Sequence, residues 1–479
     1  MSHRLSRLQQ PNPRQTDSGL RATLVRPWRI LLPIVPKPRT PISSSLTLIF
    51  GFAAIIVVGA VLLMLPIASK AGQFTSPIDA FFTATSAVCV TGLVLVDTAD
   101  YWSFIGQVII IALVQLGGFG FMTSATIFLL AFGRRIGLRE KILISESLGI
   151  TRLGGLVKVV GLMAAFTILL EAAGTAVFYF YYFEGDSPDT ALWLSAFHSV
   201  SSFNNAGFDL SGNFQSLRVY QTQPLMLLVT AALVIIGGIG FLVVTDLFRA
   251  KWTLSRLSLD SKLVLLTTTL LLSLGTAIIL LAEFRNSASL GNLTLPHQVL
   301  NAFLMSVMTR TAGFTTMNVG AVANAGLLFM AILMFIGGAS GSTAGGIKGN
   351  NFGMLAATIW STIKGREHAG AFGREFSVPQ INRALTVTLL SLGFISAVAL
   401  ILTLTEGFRF IEIVFETVSA FSTVGLSVGI TPNLSIAGRL IIIVTMFVGR
   451  LGPLTMALSL VQQQKLANYR YPQELVRTG

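Results

Sequence analysis

Four stretches of this chain share one pattern, and the pattern narrows the folds open to it. Aligned on a glycine, they read TATSAVCVTGLVLV to Val96, HSVSSFNNAGFDLS to Ser211, LMSVMTRTAGFTTM to Met317 and ETVSAFSTVGLSVG to Gly429. The shared glycines are Gly92, Gly207, Gly313 and Gly425. Each is preceded at the same spacing by Phe82, Phe197, Phe303 or Phe415, and followed directly by Leu93, Phe208, Phe314 or Leu426. Recurrence at roughly a hundred residues marks a fourfold internal repeat.

The apolar run before each glycine is about a dozen residues, against the ~20 that a helix needs to cross a hydrocarbon core. Each copy is therefore expected to be a short helix that stops inside the membrane at a glycine-centred turn. Glycine reaches φ > 0 without the steric cost other residues meet. Non-helical backbone is tolerated at that depth only where protein buries it or where it lines a water-filled path. Four such turns around one axis would present rings of carbonyl oxygens that replace the water shell of a dehydrated cation. The pattern predicts selective cation permeation.

The chain is 53% hydrophobic and 11% charged, where soluble domains carry ~25% charged residues. It reads as an integral membrane protein. A net charge of +13 would suit nucleic acid as a partner, but the placement of the 33 Lys and Arg excludes it. Most lie in residues 1–42, 133–158, 249–262, 363–383 and after Leu460, while Lys70, Arg218, Arg285, Arg409 and Arg439 fall on the other side. By the positive-inside rule both termini and the inter-repeat loops are expected in the cytoplasm of a plasma-membrane protein. Cys89 is the only cysteine, so no intrachain disulfide forms.

In chain order, residues 1–42 read as a basic cytoplasmic arm, either disordered or with an amphipathic surface helix around Leu20–Leu32 lying on anionic membrane lipid. Each repeat then reads as helix, re-entrant helix with turn, helix. Repeat 1 spans 43–132, repeat 2 spans 156–248, repeat 3 spans 263–363 and repeat 4 spans 384–462. Cytoplasmic loops occupy 133–155, 249–262 and 364–383, and 463–479 is a cytoplasmic tail. The expected fold is an all-α polytopic membrane protein of four membrane-pore-membrane repeats, with eight spanning helices and four re-entrant pore helices in pseudo-fourfold symmetry around one pore. Returning helices are expected over Phe104–Phe132, Pro224–Phe248, Ala325–Ile363 and Ile436–Leu460.

A second motif sits in each returning helix: LGGFG from Leu116, IGGIG from Ile236, IGGAS from Ile336 and VGRLG from Val448. In the first two copies it reads as close packing through small residues. The third runs on as GGASGSTAGGIKGN, and glycine costs ~1 kcal/mol relative to alanine in a helix interior, so a break into two half-helices is expected. A phosphate-binding P-loop is excluded because Lys348 is followed by Gly349 rather than Ser or Thr. The fourth copy places Arg450 where a glycine stood, and an intramembrane charge marks a functional site by default. The loop from Gly338 to Gly349 (Gly338, Ala339, Ser340, Gly341, Ser342, Thr343, Ala344, Gly345, Gly346, Lys348) and Arg450 are read together as a gate. Carbonyls and hydroxyls of the loop would hydrogen-bond Arg450 and hold the loop below the turns.

The four turns, the GGASGSTAGGIK segment and the Arg of VGRLG together resemble the Ktr/Trk/HKT superfamily of potassium transporters over residues 43 to about 462. The resemblance is greater to the bacterial Ktr membrane subunits than to Trk subunits, which carry additional N-terminal crossings. It implies potassium uptake, a homodimer, and a cytosolic ring of nucleotide-binding regulatory subunits. A serine in the first turn accompanies sodium selectivity in plant members, so Gly92 implies potassium. Sodium is left open as activator or coupled ion. The potassium-channel turn TVGYG is here shortened to VTGL, NAGF, TAGF and TVGL. Carbonyls of Val90, Thr91 and Gly92, of Asn205, Ala206 and Gly207, of Thr311, Ala312 and Gly313, and of Thr423, Val424 and Gly425 would hold the ion.

Other polar residues carry two readings each. His198 and Glu416 are buried contacts behind the turns or ion ligands; Glu171 makes an interhelical hydrogen bond or binds a coupling cation. Arg310 is expected to brace its turn from behind. Asp97, Asp100 and Asp209 are mouth charges or ordinary loop residues. No catalytic motif appears, so no enzyme activity and no covalent cofactor are expected. The alternative of another class is a secondary cation transporter with alternating access.

Overall fold

The computed structural model describes residues 44–120, 123, 124, 126, 155–182, 185 and 187–452. The expected arm 1–42 with its surface helix, the tail 463–479 and all but the last residue of the loop 133–155 lie outside the described residues.

The described chain is helical: α1 Ser44–Met64, α2 Pro77–Val88, α3 Thr98–Tyr101, α4 Phe104–Phe119, α5 Leu156–Tyr182, α6 Pro188–Phe203, α7 Pro224–Ile239 and α8 Phe241–Arg249. After these come α9 Leu259–Glu283, α10 Leu295–Met308, α11 Asn324–Phe335, α12 Gly349–Ile363, α13 Val378–Thr405, α14 Phe410–Phe421 and α15 Ile436–Leu451. Among the described residues the strands departing from an all-helical fold are one small hairpin, Gly370–Ala371 paired with Arg374–Glu375. Three helices, Leu156–Tyr182, Leu259–Glu283 and Val378–Thr405, are each long and apolar enough to cross a membrane. Their outward faces are apolar: Leu281 is 80% and Leu404 79% exposed. Interior positions are instead rich in hydroxyls and amides, with Ser195, Ser199, Ser201, Ser202, Asn204 and Thr417 buried. That inversion of the soluble pattern suits lipid outside and a polar axis inside.

Local signals explain the short helices. Proline at the first position of α2, α6 and α7 begins a helix where its missing N–H has no partner to lose. Ser187, Ser103 and Ser435 side chains accept N–H groups at the starts of α6, α4 and α15. Short helices α2, α6, α10 and α14 each pack against the helix preceding them, α1, α5, α9 and α13. The helix following each one packs against the next short helix along the chain: α4 on α6, α7 on α10 and α11 on α14. Finally α15 packs on α2, so the arrangement closes on itself. Arg439 Nη1 of α15 donates to Asp79 Oδ1 of α2 at 2.8 Å across that closure.

The GG pairs lie where this packing is tightest. A methyl on Gly117 would strike the Val88 carbonyl oxygen, on Gly237 that of Phe203 and on Gly449 that of Phe421. Each is the helix following a turn crossing the end of its own short helix, in line with the packing reading of the first two copies. The expected continuous helix Pro224–Phe248 is corrected: it breaks at Gly240, and α7 and α8 are bent by 89°. Helix α4 likewise stops at Gly120 and α15 at Gly452, each with φ between 76° and 84° and ψ between 136° and 151°. Only glycine occupies that region at low cost. The helix following each of these turns thus ends at one register, with the loop 337–348 taking the place of the break in the third. The parts of Phe104–Phe132 and Ile436–Leu460 past these breaks lie, apart from Thr123, Ser124 and Thr126, outside the described residues.

The break makes a prediction. Gly240→Ala imposes backbone strain of about 1–3 kcal/mol and lowers the thermal unfolding midpoint of the purified protein. Gly161→Ala, at an α5 position with open space around it, leaves the midpoint in place. Equal midpoints for the two variants would contradict the strained break.

Candidate functional site

The four turns follow α2, α6, α10 and α14 directly and share one backbone signature. Two residues before each glycine the chain takes a left-handed conformation that non-glycine residues seldom adopt, at Val90 (φ 57°), Asn205 (φ 58°), Thr311 (φ 74°) and Thr423 (φ 50°). The glycines are left-handed too, with φ of 85°, 71°, 74° and 93°. Each of the four non-glycine residues costs about 1–3 kcal/mol there, and packing holds it: Leu93, Phe208, Phe314 and Leu426 are all buried to 1% exposure or less.

Hydrogen bonds aim the turn. The N–H of Thr91 folds back on Ser86 O (2.7 Å), that of Ala206 on Ser201 O (2.8 Å), that of Ala312 on Met308 O (3.1 Å) and that of Val424 on Ser419 O (2.9 Å). In a planar trans peptide the carbonyl points opposite to the N–H of the same unit, so the Val90, Asn205, Thr311 and Thr423 carbonyls point away from the helix ends. The turns also touch one another in chain order. A methyl on Gly92 would strike the Ala206 carbonyl oxygen, on Gly207 that of Ala312 at 2.8 Å, on Gly313 that of Val424 and on Gly425 that of Thr91. The four glycines form a closed ring. Among the described residues none of the twelve carbonyls from Val90–Gly92, Asn205–Gly207, Thr311–Gly313 and Thr423–Gly425 accepts a protein hydrogen bond. Buried carbonyls are otherwise nearly always paired.

On one side of the ring lies a cavity of about 350 Å³ lined by all four glycines and by Asp97 and Asp209. Asp97 accepts the Ala99 and Asp100 N–H groups on Oδ1 and the Phe214 N–H (2.6 Å) on Oδ2, and Asp100 Oδ2 accepts the Asn213 N–H at 2.9 Å. Both carboxylates therefore hold loops as well as carry charge. Burial pushes the Asp209 carboxyl up to about 6, against the pull of the Ser211 N–H donating to it.

On the other side lies the small-residue loop. It is pinned at its base, where the Gly337 N–H donates to Ile347 O (2.9 Å) and that of Gly349 to Gly338 O (2.8 Å). The Ala339 N–H donates to Gly238 O at 2.9 Å, beside the α7 break. Farther along, a methyl on Gly345 would strike Thr423 Oγ1 and come within 2.7 Å of Ser422 O. In the amide orientation that satisfies both groups, Asn205 Nδ2 donates to Thr343 Oγ1 at 3.3 Å. Asn205 belongs to the second turn and Thr423 to the fourth, which face each other across the ring. A segment touching both crosses the axis.

Three basic side chains surround this loop, and carbonyl oxygens hold all of them. Arg450 Nη1 donates to Thr343 O at 2.5 Å and Nη2 to Gly117 O. Lys348 Nζ donates to Ala344 O at 2.6 Å, and Arg310 Nη2 to Gly337 O at 3.1 Å. None of the three belongs to an ion pair among the described residues. A second cavity, of about 300 Å³, is lined by Gly341–Ala344, Lys348, Arg450 and the break glycines Gly120 and Gly240.

His198 Nε2 meets Thr230 Oγ1 at 3.0 Å between the Phe178 and Phe314 rings, and Glu416 Oε1 accepts from Thr431 Oγ1. Glu171 accepts from Asn204 at 2.9 Å and Gln115 at 3.3 Å. All three make buried polar contacts behind the turns. The sequence reading missed Gly120, Gly240 and Gly452, whose signal was the last glycine of LGGFG, IGGIG and VGRLG. It also missed Gln115 and Asn204, whose signal was a lone amide in an apolar run and at a helix end.

The chain matches the TrkH cation transport protein family over residues 42–469. It belongs to that family. Among TrkH-family relatives, it is 39% identical to the Ktr system potassium uptake protein B of Bacillus subtilis, over 90% of this chain and 96% of that protein. It is 38% identical to the potassium/sodium uptake protein NtpJ of Enterococcus hirae, again over 90% and 96%. The crystal structure of the potassium transporter TrkH from Vibrio parahaemolyticus has the same fold, with a TM-score of 0.70 at 18% identity over 89% of this chain and 86% of that one. This TrkH-family protein is thus a membrane-embedded ion transporter and not an enzyme.

The cavity that Asp209 lines in this TrkH-family protein yields a pH prediction. Below about pH 6 Asp209 takes up a proton, the cavity loses a negative charge, and the cation concentration in it is expected to fall. Uptake at sub-saturating cation is expected to fall from pH 7 to pH 5, and to fall less in Asp209→Asn. Parallel profiles for the two proteins would remove Asp209 from cation capture.

Proposed function

We propose that the protein takes up potassium across the plasma membrane through a channel-like filter formed by the four turns. The observation that carries this reading is the closed ring of left-handed turns with twelve carbonyls that no described residue pairs. A carbonyl left without a partner at membrane depth costs several kcal/mol, and a dehydrated cation supplies what it lacks. In this reading the helices form four membrane-pore-membrane repeats, the basic loops and both termini are cytoplasmic, and the 350 Å³ cavity is the outer mouth. Relatives named for potassium and for potassium/sodium uptake support potassium as the transported ion, with sodium as activator or coupled ion. Filter residues are Val90–Gly92, Asn205–Gly207, Thr311–Gly313 and Thr423–Gly425. A closed ring of four turns favours a filter over alternating access between two halves.

The loop Gly338–Gly349 is the gate and Arg450 its latch. The loop lies across the axis behind the filter, and the Arg450 and Lys348 charges repel a cation arriving there. Like unit charges ~4 Å apart repel by ~4 kcal/mol at an effective dielectric of ~20, enough to stop flux. Opening moves the loop aside on its glycines, driven from the cytoplasmic side of a homodimer by a ring of nucleotide-binding subunits. The basic loops 133–158, 249–262 and 363–383, the last of which carries the hairpin at 370–375, offer the docking surface for such a ring.

Two measurements test this reading in reconstituted vesicles. Gly92→Ser or Gly313→Ser lowers rubidium uptake relative to sodium by about tenfold or more, since the added Cβ displaces a neighbouring carbonyl and a tenfold ratio corresponds to ~1.4 kcal/mol. Unchanged preference in both would sink the filter. Arg450→Ala, or deletion of Ala339–Gly346, raises flux in the absence of any cytosolic subunit. Folded variants with unchanged or lower basal flux would refute the gate.

A further inference from the structure

One buried cluster serves neither the ring nor the loop directly. Glu171, midway along α5, is 7% exposed. Its Oε1 accepts from Asn204 Nδ2 at 2.9 Å and its Oε2 from Gln115 Nε2 at 3.3 Å. Asn204 Nδ2 also donates to Gln115 Oε1 at 2.8 Å. Three polar side chains from α4, α5 and the end of α6 thus close a triangle. The Glu171 backbone is fixed as well, its carbonyl accepting from Ser199 Oγ and Thr175 Oγ1 at 2.7 Å each.

Asn204 caps α6 and is followed at once by Asn205, Ala206 and Gly207. Room has been made for its side chain, since a methyl on Gly118 would strike Asn204 Oδ1. The corresponding residues of the other turns are Cys89, Arg310 and Ser422, and none of them bonds a carboxylate among the described residues. Both Glu171 oxygens accept, so the two amides present their NH₂ groups to it, and Asn204 Nδ2 donates as well to Val200 O at 2.9 Å. That fixes the orientation of Asn204 and the point from which the second turn starts. Glu171 does not line the cavity behind the ring, which Asn204 and Thr167 do, so an ion in that cavity does not meet its carboxylate.

We propose that Glu171 is a positioning residue for ion discrimination: through Asn204 and Gln115 it holds the second turn in register without touching the ion. The proposal rests on the reading of the glycine ring as the filter. Geometry at the ring is sensitive to it because Ala206 O abuts Gly92 and Gly207 abuts Ala312 O, so a shift of one turn passes to both neighbours.

The test is the rubidium-to-sodium uptake ratio of purified, reconstituted protein, with Gly207→Ser as reference. Glu171→Gln turns an NH₂ toward Gln115 Nε2, and the ratio drops about threefold, the scale of one lost hydrogen bond. The pair Gln115→Glu with Glu171→Gln exchanges donor and acceptor, rebuilds the triangle and restores the ratio. Should Glu171→Gln fail to fold, Asn204→Ser supplies the same reading, since the fourth turn carries Ser422 there; its ratio must also drop. A normal ratio in Glu171→Gln (in Asn204→Ser where Glu171→Gln does not fold) while Gly207→Ser is impaired overturns the proposal and leaves the filter standing. A paired variant that stays impaired overturns it too, because the charge at 171 then matters in itself. A normal ratio in Gly207→Ser removes the filter, and this proposal with it.

Discussion

The structure turns on carbonyl oxygens that no described residue pairs. At each of four helix ends a backbone N–H folds back on the helix that precedes it, and peptide planarity sends the neighbouring carbonyl the other way. Helix ends normally find partners for such groups or lie in water. Here the ends are buried in a membrane protein, and the chain accepts left-handed backbone at Val90, Asn205, Thr311 and Thr423 to keep the carbonyls free. The large residue after each glycine, the tight crossings at Gly117, Gly237 and Gly449 and the Arg439–Asp79 pair all keep four turns in contact. In lipid, where there is little hydrophobic drive between helices, close packing through small residues carries that load.

The segment after the third turn departs from its counterparts for a physical reason. Gly117, Gly237 and Gly449 meet the carbonyl at the end of their own short helix, whereas Gly337 meets the carbonyl of Gly345. The loop has taken the place of the helix that continues after the break at Gly240, and Arg310 reaches to Gly337 O to hold its base. Arg450 completes the arrangement from α15, bonding Thr343 O in the loop and Gly117 O in α4. One guanidinium therefore joins α15, the loop and α4, which only a planar, multi-donor group does well.

Much of this was legible in the sequence where a residue type leaves little choice. A glycine between two apolar runs, a charge in an apolar helix and a run of small residues each have few structural meanings, and the turns, Arg450 and the loop were placed from them. The breaks at Gly120, Gly240 and Gly452 were not, because membrane helices tolerate glycine and composition does not reveal a positive φ. Nor was the Gln115–Asn204–Glu171 triangle, whose members come from separate helices and share no spacing. Glu171 stood out as a charge, but its partners are set by how α4, α5 and α6 cross.

The most direct test of the central claim is where the ion sits. Rubidium-soaked crystals measured at the rubidium absorption edge should show anomalous density on the axis of the glycine ring, within coordination distance of carbonyls from all four turns. Density confined to the cavity behind the loop or to a cleft between helices, with none in the ring, would contradict it.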